Sequence, residues 1–383
     1  MDDQQQTGSP PAGSPGHRRR VRWAATIAAV VVLLAAGAIA TTQILRARYD
    51  VPSADLFGTP TPTPSASPTP NGSPTPEPGA DITGPLNILL VGVDTRVSIP
   101  GWEPHADAVL ILHVTKTLDR AYLFSLPRDL VVDIPAFPKA NFGGQRTKLT
   151  HAMSYGSRGP GKRTPDPAQG FQLLATTVSR YTGIKRFDAG AVLTFGGFDN
   201  LVDALGGVDL YVDQRVPSRH RRPDGTLRPL GSDGYVGPQM VYEKGTRHLN
   251  GWQALDYARQ RYISGGDYAR QRHQQQLIKA MVREILDQDL ARDPVRLDRV
   301  LRAVGKALVF DGRGHRVIDF GYALRGLRAD DITLVVLPGH GVGSGSAYRG
   351  EQLDPVGRQF IAELRAGRVD AFLETHPTLV VKR

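Results

Sequence analysis

The sequence predicts a layered α/β domain built around a mixed sheet, and three observations support this fold class. Apolar runs of strand length begin at Leu86–Val93 and continue at Ala108–Val114 and Ala121–Leu126. Helical spacing of apolar residues then appears at Ala168–Tyr181. Strands and helices go on alternating along the chain, which is the order that packs helices against the faces of a sheet.

The remaining elements follow the same alternation. The patterns predict strands at Ala189–Thr194, Val208–Val212 and Ile332–Leu337, and helices at Phe198–Leu205, Gly251–Tyr257, Asp267–Asp289, Pro294–Ala307 and Arg316–Arg328. The polar, arginine-rich stretch Arg215–Gly237 is broken by Pro and Gly, so we interpret it as an exposed loop, with Arg215–Arg228 as a solvated basic face.

Composition limits the chemistry that the chain can perform. There is no cysteine, so disulfides, thiolate metal sites and thiol nucleophiles are excluded. The net charge is +10, and the first fifty residues supply only +3 of it, from six arginines against three aspartates. The remaining excess favours an anionic partner.

The N-terminal region predicts a membrane anchor. Trp23–Leu45 carries no charge and, as a helix, would be roughly 34 Å long, enough to cross a bilayer core of about 30 Å. Basic residues within Arg18–Arg22 precede it, which keeps residues 1–22 in the cytoplasm and places everything after Leu45 outside. The alternative is a signal peptide cleaved near Ala38–Ala40, but the apolar run exceeds the usual signal core.

A linker is predicted at residues 46–85, between the anchor and the domain. Its central part, Gly58–Gly79, contains eight prolines and almost nothing apolar to bury. This composition is typical of a semi-rigid polyproline II stalk, here reaching roughly 70 Å. The domain is then expected at residues 86–376, with a short tail at 377–383.

Two carboxylates are candidates for a metal site. Asp94 closes the first predicted strand and Asp107 opens the second, so adjacent strands could bring them to one sheet edge. Such a pair suits Mg²⁺, which accepts its remaining ligands from water and substrate phosphate. An aspartate at a strand end is more often only a turn residue.

The basic residues indicate a phosphate site more strongly. Arginine binds phosphate through two parallel hydrogen bonds and keeps its charge. On the helix from Asp267, Arg270 and Gln274 continue the apolar stripe formed by Leu277/Ile278, Met281 and Ile285. A charge on a core-facing stripe needs an anionic partner. The basic candidates are Arg96, Arg128, Lys148, Arg259, Arg261 and Arg270.

Six segments in order resemble the LytR-CpsA-Psr family, in its actinobacterial form. They span about Leu86 to Leu290, and they read NILLVGVDTR, HADAVLILHV, LFSLPRDLVVDIP, KLTHAMSYG, FDNLVDALGGVDLYV and LNGWQALDYARQRYISGGDYARQRHQQQLI. The resemblance implies a three-layer α/β/α sandwich with a deep apolar pocket for a polyprenyl chain and a pyrophosphate at its mouth.

The resemblance also implies roles for individual residues. Asp94 and Asp107 would ligate Mg²⁺, and the pyrophosphate would be held by Arg128, Lys148, Arg259, Arg261, Arg270 and Gln274, with Arg96 and Asp267 nearby. The sequence departs from the family at His105, Thr150, His273 and the short stretch Tyr262–Gly266, so the outer edge of the site near His105 and His273 is expected to differ.

The implied activity is extracytoplasmic phosphotransfer of a glycopolymer from a polyprenyl-pyrophosphate carrier to peptidoglycan. The catalytic set would be Asp94, Arg128, Arg259, Arg261 and Asp267, with Asp94 or Asp267 taking the proton of the attacking hydroxyl. Two alternatives stay open: a carrier-binding regulatory module and a pyrophosphatase that uses water as acceptor. Direct binding of nucleic acid is not expected, because only about twenty residues would remain inside the cell.

Overall fold

A computed structural model describes residues 54–58, 79–94, 101–161, 164–287, 300, 303 and 308–381. The predicted anchor Trp23–Leu45, nearly all of the predicted helix Pro294–Ala307, and Arg96 lie outside these ranges. Within them, no helix combines the length and the apolar character that crossing a bilayer requires.

Six strands form the central sheet, in the spatial order β13-β6-β1-β2-β3-β14. The pairs β1/β2, β2/β3 and β6/β13 are antiparallel, whereas β1/β6 and β3/β14 are parallel. The predicted mixed sheet is therefore confirmed. The strands are β1 (Leu86–Asp94), β2 (His105–Val114), β3 (Ala121–Leu126), β6 (Ala189–Thr194), β13 (Leu308–Asp311) and β14 (Ile332–Val335).

Helices cover both faces of this sheet. Successive side chains of a strand point to opposite faces, so in β1 Ile88 belongs to one buried apolar cluster while Leu89 and Val91 belong to the other. The first cluster contains residues of α3 (Phe195–Leu205), α4 (Gly251–Arg259), α5 (Gly266–Asp287) and α6 (Val317–Ala323). The second contains residues of α1 (Thr150–Ser157), α2 (Pro167–Thr182), α7 (Pro355–Arg365) and α8 (Val369–Thr375).

Short two-stranded ribbons surround the sheet, and one of them, β9 with β10, lies wholly in the stretch predicted as an exposed loop. In the same stretch β8 pairs with β11, which follows it in the chain, so Arg215–Gly237 is folded rather than simply extended into solvent. The ribbon strands are β4 (Val131–Ile134), β5 (Gln145–Lys148), β7 (Val208–Val212), β8 (Val216–Pro217), β9 (Leu230–Gly231), β10 (Gly234–Tyr235), β11 (Val241–Tyr242), β12 (Gly245–Leu249), β15 (Gly339–Val342) and β16 (Gly350–Leu353).

Parts of the predicted linker pack against the domain. Leu56 is completely buried in the second cluster, and its backbone N–H donates to the Asp311 carboxylate at 2.9 Å. The Phe57 ring packs edge-to-face on Phe171, with 5.6 Å between centroids. On the far side of the Pro-rich stretch, Ile82 is buried in the first cluster. The first residues held by the domain thus precede the Pro-rich stretch.

Candidate active site

A cavity of about 420 Å³ opens at the end of the sheet where β2 begins. It is built from the start of β2, the turn after β3, the polypeptide between β8 and β10, the end of α4 and the first turns of α5. Five guanidinium groups and one carboxylate face it, which makes it strongly cationic. The lining residues are Asp107, Arg128, Arg219, His220, Tyr235, Arg259, Gln260, Arg261, Tyr262, Arg270 and Gln274.

A β-bulge gives Asp107 its position. Gly92 of β1 pairs with Ala108, but Val93 pairs with Ala106, so Asp107 is the extra, unpaired residue of β2. A bulge of this kind turns a side chain out of the regular alternation. The Asp107 carboxylate accordingly reaches the cavity and forms an ion pair with Arg128.

The backbone of Asp94 lies at the same end of the sheet. Asp94 is the last residue of β1 and pairs with His105, two residues before the bulge. Its side chain is outside the described part of the structure. Two carboxylates at one sheet end are hard oxygen donors, and this donor set fits a Mg²⁺ ion that takes its remaining ligands from water and phosphate. Among the described residues, no cluster of three metal-binding side chains occurs.

Arg128 and Lys148 are brought together by a shared carboxylate. Asp129 Oδ1 lies 3.4 Å from Arg128 Nε, and Asp129 Oδ2 lies 3.6 Å from Lys148 Nζ. The β4/β5 ribbon carries Lys148 to this place, since Lys148 pairs with Val131. The Lys148 ammonium also lies 4.8 Å from the centre of the Tyr348 ring. Lys148 therefore lies beside the cavity, and the Asp129 carboxylate lies between it and Arg128 on the cavity wall.

Helix α5 presents Arg270 to the cavity from the protein interior. Arg270 is 5% exposed, and its guanidinium pairs with Asp267 at 2.7 Å. Burial lowers the pKa of Arg270, and its Nε has no hydrogen-bond partner. Gln274 follows one turn later on the cavity wall. A buried guanidinium with an unused donor beside the N-terminus of a long helix is well suited to an anion.

The predicted stripe on this helix is confirmed where the structure describes it. Arg270 and Gln274 line the cavity, while Leu277 and Met281 lie in the first apolar cluster. Asp267 is not among the cavity-lining residues. Its two carboxylate oxygens accept from Arg270 and from Gln271 Nε2, the latter at 3.2 Å.

The end of α4 supplies two further arginines. Asn250 caps the helix in a reciprocal capping box with Gln253, which fixes where the helix starts. Arg259 is its last residue, and Arg261 follows two positions on, in non-helical backbone. Both line the cavity together with Gln260, at the point where the helix gives way to non-helical backbone.

Sequence reasoning missed part of the wall. The interpretation of Arg215–Arg228 as a solvated basic face is wrong for Arg219, whose guanidinium lies 3.8 Å from the centre of the Tyr262 ring. The backbone N–H of Arg219 donates to Gln260 Oε1 at 3.0 Å, and Gln260 in turn donates to the buried carboxylate of Asp256 at 2.8 Å. His220 and Tyr235 pack edge-to-face on the same wall, 4.8 Å apart.

The sequence profile of the LytR_cpsA_psr family matches residues 61–359. The chain belongs to this family. Solved structures support the same fold: TagV of Bacillus subtilis has a TM-score of 0.52 at 19% identity, covering 75% of this chain and 98% of TagV. TagT bound to LIIa-WTA has a TM-score of 0.51 at 22% identity, covering 77% of this chain and 93% of TagT.

Family members of known name have roles in cell-wall synthesis and regulation. Biofilm regulatory protein A of Streptococcus mutans is 29% identical over 58% of this chain and 48% of its own length. The polyisoprenyl-teichoic acid–peptidoglycan teichoic acid transferase TagU of Enterococcus faecalis is 29% identical over 53% of this chain and 54% of its own. Cell wall biosynthesis protein LcpA of Corynebacterium glutamicum, 24% identical over 67% of this chain and 50% of its own, indicates the actinobacterial type. The chain thus spans about half the length of these relatives.

The departures from the LytR_cpsA_psr pattern do not all lie at the edge of the site. His273 is completely buried, stacks on Tyr257 with 4.2 Å between ring centroids, and lies 3.1 Å from Asp213. The expectation that His273 borders the outer site is therefore wrong. His105 lies at the start of β2, 6.3 Å from the ring of His151, and is not among the cavity-lining residues.

Proposed function

We propose that this chain is an extracytoplasmic phosphotransferase that moves a glycopolymer from a polyprenyl-pyrophosphate carrier to peptidoglycan. The observation that carries the proposal is the cationic cavity, in which five guanidinium groups face a single carboxylate. The family relationship to proteins named as teichoic acid transferases and cell-wall biosynthesis proteins supports the same activity.

A pyrophosphate is the anion that matches this charge and this geometry. Arginine remains protonated even when buried, and its planar fork binds two phosphate oxygens at once. Arg270 approaches from inside the protein, whereas Arg259 and Arg261 approach from the end of α4. The two phosphates of a carrier would therefore be bound by arginines from two directions. Arg128 and Lys148 would contact them from a third.

A magnesium ion is proposed as the cofactor. Asp94 and Asp107 would hold Mg²⁺, which would neutralise charge on the phosphate oxygens when bound. Asp107 now pairs with Arg128, so in the loaded site Arg128 would share that carboxylate or turn to the phosphate. The arginines then stabilise the charge that develops during transfer, which is the main source of catalysis in phosphoryl transfer.

The proposed reaction joins polymer and wall through a phosphodiester. A peptidoglycan hydroxyl attacks the sugar-linked phosphorus, the bond from that phosphorus to the bridging oxygen breaks, and polyprenyl monophosphate leaves. The hydroxyl proton passes to a carboxylate. The candidates are Asp94 and Asp267, and Asp267 would first have to release a carboxylate oxygen that now accepts from Arg270 or Gln271.

The location and the apolar pocket complete the proposal. The predicted anchor Trp23–Leu45 would hold the domain at the outer face of the cell membrane, where a polyprenyl carrier resides. The carrier's chain would continue from the cavity along α5, since the residues beyond Gln274 on that stripe are the apolar Leu277 and Met281. An apolar pocket deep enough for the whole chain remains a prediction.

The test uses the full chain reconstituted in vesicles with lipid-linked saccharide, Mg²⁺ and a peptidoglycan acceptor. Transfer that requires the acceptor supports the proposal. Release of phosphorylated saccharide into water without acceptor would identify a pyrophosphatase. Stable binding of the carrier without turnover in either condition would identify a binding or regulatory module. The variant Asp107→Asn serves as the inactive control.

A further inference from the structure

The cavity is bordered by a segment with unusual surface chemistry, residues 216–242, which we call the rim segment. Its ends are joined by the pairing of β8 with β11. Leu230 is 73% exposed, Leu227 67% and Val236 48%. Among the described residues six large hydrophobic side chains are at least 38% exposed, and the four most exposed of them lie here or at the neighbouring Tyr262. Exposed apolar side chains gathered on one segment mark an interaction surface.

The rim segment holds a defined shape while it exposes these side chains. Arg228 donates to three backbone carbonyls, those of Arg219 at 2.9 Å, Tyr235 at 2.9 Å and Gly237 at 3.2 Å. The backbone N–H of Arg228 also donates to the His220 carbonyl at 2.7 Å. The Arg228 guanidinium thus connects both arms of the β9/β10 hairpin. The exposed leucines therefore lie on a segment with a defined conformation.

The chemistry of the rim segment matches a bilayer surface. It contains four arginines against two aspartates, so its exposed aliphatic groups are accompanied by net positive charge. Apolar side chains flanked by basic residues are typical of segments that insert at the interface of an anionic membrane. A binding surface for polysaccharide would instead present aromatic rings and polar groups without isolated leucines.

The rim segment lies beside the cavity, and this position suggests why its surface would bind a membrane. Arg219, His220 and Tyr235 of the same segment form one wall of the cavity. On the proposed function, a polyprenyl chain must pass from the bilayer into the protein, and any length of it crossing water would be strongly disfavoured. The mouth must therefore meet the bilayer directly.

We propose that the rim segment docks on the outer surface of the membrane, with Leu227 and Leu230 inserted at the interface and the net positive charge of the segment facing anionic head groups. The predicted anchor ends at Leu45 and, among the described residues, the domain first holds Ala54–Gly58, so at most roughly 30 Å of chain tethers the domain to the bilayer. The reason given for docking, entry of the carrier, rests on the proposed function. The test of docking itself does not.

The chain has no cysteine, which allows clean labelling at single sites. Leu230→Cys carries a polarity-sensitive fluorophore, and Ala371→Cys, at an exposed position of α8 on the other face of the sheet, is the matched control. The full chain is reconstituted in vesicles of phosphatidylcholine with or without phosphatidylglycerol. We expect a blue shift and quenching by spin-labelled lipid at position 230 alone, strengthened by phosphatidylglycerol and weakened by salt.

Three results would overturn the docking surface: no quenching at position 230, equal quenching at position 371, or a signal that follows the protein-to-lipid ratio and so reports contact between copies of the chain. The measurement needs no turnover, so it remains decisive even where the proposed activity fails.

An activity measurement then tests whether docking serves the entry of the carrier from the bilayer. In Leu227→Ser/Leu230→Ser, transfer from a long-chain carrier embedded in the vesicles should fall roughly tenfold or more, as expected for loss of two interfacial leucines. Transfer from a water-soluble short-chain carrier should stay unchanged. Leu227→Met/Leu230→Met keeps the apolar surface and should retain both rates. An equal loss with both carriers would contradict the inference, because it would place the defect in the cavity.

Discussion

Replacing Arg270 tests whether the cavity is a defined pyrophosphate site. Arg270 is 5% exposed, its guanidinium pairs with Asp267, and its Nε donor is unused. Arg270→Ala removes this guanidinium and leaves the other four on the wall. Arg270→Lys keeps the charge but replaces the planar fork by a point charge, so we expect it to recover only part of the binding.

The magnitude follows from one charge-assisted contact in a buried setting. Such a contact contributes about 1.5–3 kcal/mol, so Arg270→Ala should weaken binding of inorganic pyrophosphate by roughly ten- to a hundredfold. At a pyrophosphate concentration a hundred times the wild-type dissociation constant, the ligand stabilises the folded wild type by about 2.7 kcal/mol. A hundredfold weaker site would retain only about 0.4 kcal/mol of that stabilisation.

The assay is denaturant unfolding with and without inorganic pyrophosphate, supported by calorimetric titration. Arg283→Ala is the matched control, because Arg283 lies on the same helix, is 44% exposed and pairs with Asp330 at 2.8 Å on the surface. It should bind pyrophosphate as the wild type does. Arg272 is a poorer control than its sequence position suggests, since it pairs with Asp213 at 2.6 Å in partly buried surroundings. Equal losses at Arg270 and Arg283 would refute the reasoning and indicate a diffuse basic surface.

Three further substitutions probe the metal, the core and the helix that carries the arginines. Asp107→Asn should abolish Mg²⁺-dependent turnover and, by breaking the ion pair with Arg128, lower the free energy of unfolding by about 1–2 kcal/mol; full activity in this variant would disprove the metal assignment. Burial lowers the pKa of His113 to about 4 from 6.5, so its stabilising contribution is complete above pH 6.5 and lost as pH falls towards 4. Wild-type unfolding free energy should therefore drop by up to about 3 kcal/mol more than that of His113→Gln over this window, and parallel pH profiles would contradict this. A Cβ at Gly251 would overlap the backbone carbonyl of Asp199, so Gly251→Ala should displace α4, lower stability by about 1–3 kcal/mol and slow transfer, whereas unchanged unfolding would show that the helix can shift freely.

The sequence was most informative where periodicity and local order coincide. The first three strands and the stripe on α5 follow from apolar spacing alone, because burial of one face dictates which residues recur. The order of the strands also places Asp94 and Asp107 at one end of the sheet. The bulge that turns Asp107 into the cavity has no such signature, since Ala106 and Ala108 allow the regular register equally well.

The features of the site that the sequence did not predict depend on contacts between distant parts of the chain. Arg219 stands in a stretch whose Pro, Gly and Arg content is typical of a solvated loop. It reaches the cavity because Gln260, forty-one residues later, accepts from its backbone at 3.0 Å. His273 similarly lies one residue before Gln274, yet helical geometry turns it away from the cavity and towards Asp213. In both cases the deciding partner is far along the chain, where periodicity gives no information.

Helix α5 explains how one fold can hold so much like charge around a cavity. Its first turns present Arg270 and Gln274 to the cavity, where the guanidinium groups repel one another until an anion arrives. Its later turns bury Leu277 and Met281 in the first apolar cluster, and this burial keeps the helix in place whether or not an anion is bound. The polar and apolar halves therefore cannot move independently. The same helix therefore supplies cationic and amide groups to the cavity from its first turns and apolar packing to the core from its later turns.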